Sequence, residues 1–533
     1  MGEEAYFANP TGLIASTLLV AALAAVPLSL LILARYRAAV VRSMQQGAAP
    51  AQQRASTIAA RELPELRLAN VARAEPAGRR APASLLAELR HHPYSLARCY
   101  AICALVQALL AALVLLAAED IAPSPGRLLC LSYVLAWPVI PQLAQVSTAA
   151  HKPGWRAPAL FAAGAIALGA VFGLAGWLLV VWLGIMGFPT LSQLLLANRR
   201  IRNVAPFVTA LLVFLLLGVF STLALILMLG IRSDAFVVFA LLLGIGAIVL
   251  LGRRFARWVG ATYAAKRTSD QMLLVDAWSI VYTAWLSVWL SISIGWYGVL
   301  AGALPFAVSR SLLAVLLRRR ALRRPPDAPR RLLLLRVFGF RSRSERLLAD
   351  LERRWRHDGI IQLIAGADLA NAILTPHELL EYAGGRLGRS FVADAADLEA
   401  RLAARDELPD PDGRYRIHEL FCFESTWRLA LRRLAGESDA VLMDLRGFSR
   451  EHRGCVYELQ QLVDLVPTGA WSLLLDGDTD RALLEATLRD GWSRMAADSP
   501  NRAPDAAPVR IFDLSSASSP DADILLAATG ATG

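Results

Sequence analysis

The sequence predicts an α-helical polytopic membrane domain followed by an α/β domain built on a parallel sheet of about five strands. Three observations lead there. Apolar residues fill 56% of the 533 positions, mean hydropathy is +0.45 and only 19% of residues are charged, so part of the chain needs lipid around it. The Arg residues cluster beside long apolar runs, a membrane-topology pattern that argues against a nucleic-acid partner despite the net charge of +11. Beyond residue 330, short apolar runs alternate with amphipathic stretches, as β–α units do.

The first span is Thr11 to Ala34, about 36 Å as a helix. Its acidic lead, MGEEAYFANP, suits an uncleaved anchor with its N-terminus outside better than a signal peptide. Residues 35–97 then form an Arg-rich cytoplasmic loop, partly disordered; with Arg98 the stretch carries eleven Arg against four Glu. That Arg content also favours anionic headgroups. Membrane helices occupy 98–322. Spans are expected near 98–118 and 128–148, a bent pair over the uncharged 157–198, spans near 205–230 and 235–252, and a second pair over Asp276 to Leu317. Nine spans place nearly every Arg cluster on one side; if the two pairs are re-entrant, seven or eight remain. The protein is thus expected in the cell inner (plasma) membrane, multi-pass, with its C-terminal domain cytoplasmic.

The span interiors hold few ionisable groups, which weighs against ion-coupled transport. Arg310 lies two turns from a span end and can snorkel, while Asp276 marks a boundary. Trp278, Trp285, Trp289 and Trp296 share a helical face; interface anchoring and packing are the commoner uses of such a stripe than a ligand box. The five cysteines (Cys99, Cys103, Cys130, Cys422, Cys455) show neither CxxC pairing nor metal-ligand spacing.

A linker at 323–330, containing RRPPDAP, ends the last helix, because proline breaks it. The α/β domain spans 331–515, and 516–533 form a flexible tail. Strands are predicted at 331–339, 360–365, 439–445, 471–477 and 509–514. Helices are predicted at 344–359, 423–436, 454–466 and 481–495. Apolar runs without alternation suit strands buried on both faces of a doubly wound sheet. Ligands of such sheets bind at the carboxyl ends of the strands, where GFSREHRGCVYELQQLV (447–463) begins.

RVFGFRSRSERLLADLERRWRHDGI resembles the first strand, loop and helix of a Toll/interleukin-1 receptor (TIR) domain, a flavodoxin-like fold. DAVLMDLRGFSREHRGCVYEL resembles its third strand and the segment after it, with Phe448, Cys455, Glu458 and Leu459 matching the family pattern. The resemblance implies that Glu458 is a catalytic carboxylate for cleavage of the nicotinamide–ribose bond of NAD. NAD is then a substrate, and no bound cofactor is expected. Arg446, Arg450 and Arg453 would hold the pyrophosphate, with Phe448 and Cys455 completing the binding segment. The sequence departs from the pattern at Gly454, where Trp is usual, in FRSRS, which lacks an acid, and in about forty extra residues near 366–421.

The chemistry fits, since nicotinamide loss leaves an oxocarbenium-like ribose that a fixed carboxylate stabilises. A Glu near a helix start is also favoured by the helix dipole alone, so both readings of Glu458 stand. GGRLGRS (384–390) is one residue short of a P-loop and has Arg for Lys. DGDTD (476–480) reads as a turn plus helix N-cap rather than a calcium loop. His357, His377, His418 and His452 show no metal spacing, and Asp444 either faces the cleft of Glu458 or bonds loop amides. The leading expectation is a membrane-anchored signalling or defence protein whose TIR-like domain hydrolyses NAD, with the bilayer and a homo-oligomer through that domain as partners. The alternatives are a non-catalytic TIR-like scaffold and a transporter or channel with a regulatory cytoplasmic domain.

Overall fold

Helices with large exposed apolar side chains form one part of the molecule, and an all-parallel sheet with flanking helices forms the other. The computed structural model describes residues 10–45, 63–70, 81–136, 156–171, 204, 207–215, 218, 222, 234–322, 329–337, 347–348, 351, 355–357, 359–365, 390–405, 407–503 and 506–514.

The apolar helices are α1 (Pro10–Gln45), α2 (Ala81–Ala118), α3 (Pro125–Leu135), α4 (Arg156–Val171), α5 (Asp234–Ala264), α6 (Asp270–Ile294) and α7 (Tyr297–Leu322). Among the described residues five segments are long and apolar enough to cross a membrane: Ala24–Met44, Arg98–Ala118, Val238–Ala264, Val275–Ile294 and Tyr297–Arg319. Phe236, Phe239, Leu242, Leu243 and Leu250 of α5 are more than half exposed, an apolar band that marks a membrane protein. The expected pair at Asp276–Leu317 is the hairpin α6–α7, turning at Gly295 with φ 65°. The remainder of the expected nine spans falls largely outside the described residues.

Small residues bring these helices together. A Cβ on Gly298 would lie 2.3 Å from Ser291 N, and one on Gly302 2.6 Å from Ser287 Cα, so this glycine pair four residues apart lets α7 touch the backbone of α6. Ala104, Ala108, Ala111 and Ala112 of α2 pack with Tyr282, Leu286 and Leu290 of α6. Asp276 and Arg310 pair across α6 and α7 at 3.0 Å, a partnership that neither position announces on its own. Trp289 is exposed on α6 and Trp285 packs between Tyr282 and Trp289, while Trp296 lies exposed in the turn after Gly295, off the helical face the other tryptophans were expected to share with it.

Among the described residues the sheet has eight strands rather than about five: β1 (Leu68–Asn70), β2 (Arg330–Arg336), β3 (Gly359–Ile364), β4 (Phe391–Val392), β5 (Ile417–Cys422), β6 (Ala440–Asp444), β7 (Trp471–Leu475) and β8 (Val509–Asp513), in the order β1-β8-β7-β6-β2-β3-β5-β4. The five expected strands form its middle. β4 and β5 come from the stretch read as extra residues, and β1 from the loop between α1 and α2. That loop is also shorter than expected, because α1 continues to Gln45 and α2 starts at Ala81. Tyr36 and Val40 give the α1 extension an apolar surface, clustered with Phe391, Phe421 and Phe423 at the β4–β5 edge.

Each central strand buries both faces. Leu333, Leu335, Val441, Met443, Leu473 and Leu475 point to one core with α9 (Trp427–Glu437), α10 (Arg453–Leu465) and α11 (Arg481–Ser493). Leu332, Leu334, Ile361, Leu363, Leu442 and Leu474 point to the other, with Leu347, Leu348, Leu351 and Trp355. A further short helix, α8 (Ala395–Ala403), follows β4 and starts on the Asp394 cap. Gly359, expected to end a helix, instead opens β3; a Cβ there would sit 2.1 Å from Arg330 O, so only glycine fits. β1 is held by the parallel register Leu68↔Val509, by Trp492 Nε1 donating to Pro64 O at 2.6 Å, and by Arg67 Nη2 donating to Ala506 O at 2.7 Å.

Candidate functional site

Strand order reverses between β2 and β6: from β2 the chain moves outward to β3, then returns to the opposite side as β6. Crevices at such reversals, at the carboxyl ends of the strands, are where doubly wound sheets bind ligands. Arg336 closes β2 and Asp444 closes β6, and the two are register partners. The Glu458 carboxyl of α10 comes to the same place.

Glu458 sits in the second turn of α10, on the face that carries Cys455, Leu459 and Leu462 into the core. It is 4% exposed. Burial pushes its carboxyl up to about 8, against the pull of the Arg336 guanidinium and a hydrogen bond from the Cys455 thiol. One oxygen, Oε2, has no hydrogen-bond partner among the described residues. Burial and then the neighbouring Glu458 also push the Cys455 thiol up. Burial thus favours the protonated form of this carboxyl, and its Oε2 is shielded from water without a hydrogen-bond partner among the described residues.

The connection from β6 to α10 is tightly braced. Asp444 Oδ1 accepts from Arg446 Nε at 2.7 Å and Oδ2 from Arg446 Nη2 at 2.6 Å, a two-point pair that also bonds the Arg446 amide. Gly447 follows with φ 74°, a conformation that favours glycine, and its amide donates to Asp476 Oδ1 at 3.0 Å. Thr479 Oγ1 donates to Leu445 O at 3.0 Å and Asp480 N to Phe448 O at 2.9 Å. DGDTD is thus the turn it was read as, with Asp480 capping α11 through Leu483 N, and it also clamps the neighbouring connection.

The expected site residues separate into three groups. Glu458 and Arg446 reach the crevice region, Arg446 already engaged by Asp444. Phe448 is 0% exposed and, with Cys455, packs in the core below the connection, so neither presents a surface for stacking on a ligand in this conformation. Arg450 and Arg453 lie exposed on the outer part of the connection. Gly454, where Trp is usual in the family pattern, has open space beyond its Cα. His452 accepts from Ser449 N at 3.1 Å through Nδ1 and orders the turn. His377 and Gly384 to Arg389 lie outside the described residues. Among the described residues no His, Cys, Asp and Glu side chains group as a metal site.

Sequence reading missed Arg336, and saw Asp476 only as the start of the DGDTD turn, not as the acceptor that braces Gly447. Each ends an apolar run, RLLLLR and WSLLLD, and a charge closing a buried strand was the available signal. Arg336 is 3% exposed, and its placement beside Glu458 makes it the cation of the crevice. Compared with protein-family models, curated proteins and solved structures, the chain matches none.

Proposed function

We propose that the chain is a membrane-anchored signalling or defence protein whose TIR-like sheet domain cleaves the nicotinamide–ribose bond of NAD, with Glu458 as the catalytic carboxylate. The observation that carries this reading is the convergence of Glu458, Arg336 and Asp444 at the strand-order reversal. In the reaction the C–N bond breaks and its electron pair leaves with nicotinamide, which loses its positive charge. Ionised Glu458 stabilises the oxocarbenium ribose, water adds to the anomeric carbon, and a proton is released. Arg336 is a positioning residue: it favours the ionised form of Glu458 once the crevice opens and hydrates. Arg446 becomes available to the pyrophosphate when it leaves Asp444.

The sheet domain is proposed to face the cytoplasm. Supporting this, it meets the molecule at Tyr36, Tyr263 and Lys266, the end that carries Arg35, Arg37, Arg253, Arg254, Arg257, Arg318 and Arg319. The opposite end carries Glu119, whose Oε1 accepts from Ser293 Oγ at 2.6 Å.

The test is nicotinamide release by the full-length protein in lipid nanodiscs, at low and high protein density, beside Glu458→Ala. Release that the substitution abolishes supports the reading; none at any density, from folded protein, sinks it. The burial of Glu458 and the Asp444–Arg446 pair favour a second reading, a non-catalytic scaffold working through association of like domains. On that reading density-dependent association persists in Glu458→Ala and nicotinamide is never released.

A further inference from the structure

Residues 407–416 form a tight turn ahead of β5 that is rigid in itself. Asp410 N donates to Arg414 O at 2.8 Å and Gly413 N to Asp410 O at 2.7 Å, with Gly413 at φ 82°. Asp412 Oδ2 accepts from Arg414 Nε at 3.0 Å and Nη2 at 2.7 Å, and Asp410 Oδ1 from Arg416 Nε at 2.9 Å.

This turn sits on the connection between α5 and α6. Lys266 Nζ donates to Leu408 O, and Lys266 itself holds φ 52°, a conformation that costs a residue with a side chain. Arg416 Nη2 donates to Tyr263 O at 2.5 Å while its guanidinium lies 3.9 Å from the centre of the Tyr263 ring. Asp412 is fully buried and bonds Ser269, the residue that caps α6 through Met272 N. Burial opposes its charge, but Arg414, Ser269 and Arg356 together outweigh that and hold the carboxyl at about 2. A buried carboxylate is tolerated only where its partners stay in place, so the seat is specific.

The same turn is wired to the sheet. Tyr415 N donates to Arg356 O at 2.6 Å and Arg356 Nε to Tyr415 O at 2.5 Å, just ahead of β3. Glu407 accepts from Arg331 Nε at 3.1 Å and Nη2 at 3.0 Å, and Arg331 lies on β2, the strand that ends at Arg336. β5 pairs with β3 and β3 with β2.

We propose that the 407–416 turn is a conformational coupler, through which displacement of the α5–α6 connection by the apolar helices reaches β2 and the crevice at its carboxyl end. The turn holds one partner in the helices and another in the strand that carries Arg336, and its internal ion pairs make it move as a unit. Nothing in this depends on which reaction, if any, the crevice performs.

Amide hydrogen exchange of the full-length protein in lipid nanodiscs tests it, comparing wild type with Lys266→Ala and Asp412→Asn. Lys266→Ala removes the contact to Leu408 O from a partly exposed side chain and is expected to leave the fold intact. It is expected to speed exchange in 407–422 by about tenfold and to speed exchange at Arg336–Val337 and Leu445–Cys455 along with it, with β7 and β8 unchanged. Asp412→Asn should give the same pattern more strongly. Faster exchange confined to 407–416, no change in either variant, or a uniform rise including β7 and β8 each overturns the coupler.

Discussion

Asp444 holds Arg446 by two short hydrogen bonds across a single intervening residue, and both side chains are largely shielded from water. Removing the anion leaves a partly buried cation with only the charge of Asp476 nearby, which costs about 1–3 kcal/mol. Asp444→Ala should therefore lower the melting temperature of the sheet domain. Inorganic pyrophosphate should restore part of the loss by occupying Arg446, while leaving wild type unmoved. Thermal shifts with and without pyrophosphate check both halves.

Glu458 gives stability a pH dependence of definite sign. Its folded carboxyl keeps the proton up to about 8, whereas an unfolded Glu releases it near 4.5. Between those values the unfolded chain is favoured as pH rises, by up to about 1.4 kcal/mol per unit; below and above the window the effect is flat. Glu458→Gln should accordingly match wild type at pH 4.5 and exceed it in stability at pH 8. Denaturation monitored by tryptophan fluorescence at the two pH values decides this. Under the proposed reaction, nicotinamide release should also rise with pH from 6.5 to 8.5 and vanish in the Gln variant.

Two glycines should respond oppositely to alanine. At Gly359 the new Cβ collides with the Arg330 backbone, 2.1 Å from its O and 2.9 Å from its C, which the β2–β3 pairing holds in place. Gly359→Ala should destabilise by about 2–4 kcal/mol or prevent folding. Gly436 is exposed in α9 with nothing within reach of a Cβ, so Gly436→Ala should be neutral or stabilise by up to about 1 kcal/mol. Paired melting curves read out the contrast.

The strand supplied by the α1–α2 loop should be needed by the sheet. A fragment spanning 325–533 lacks β1 and leaves β8 as an open edge, which invites association with other chains. Joining residues 60–72 to that fragment through a flexible linker should raise its melting temperature and suppress aggregation. Light scattering and melting of the two fragments side by side test this. Equal behaviour would mean the β1 contacts contribute nothing.

The central strands were legible in the sequence because LLLL, IIQLI, AVLMD and WSLLL bury both faces and so carry no alternation to misread. β5 was hidden because IHELFC places His418 and Glu419 at its middle, residues that are only partly buried. β1 is three residues of an Ala- and Arg-rich loop, and its partner is β8, more than 400 residues on and too distant for any local pattern to reveal. At the candidate site, sequence pattern singled out Glu458 but not its cation. Arg336 becomes its neighbour only when β2 and α10 are brought together by the sheet. The pairing of Asp276 with Arg310 was obscured likewise, since each residue was legible alone as a group near a span end.

Arg67 and Ala506, which bond each other beside β1, are 439 positions apart. A ribosome adding about 5–20 residues per second needs on the order of 20–90 s to travel that far. During that interval Leu68–Asn70 has no β8 to pair with, while the helices after it are made. The sheet edge is then completed by β1 meeting β8, so a chain cut short before Val509 lacks the partner strand of β1.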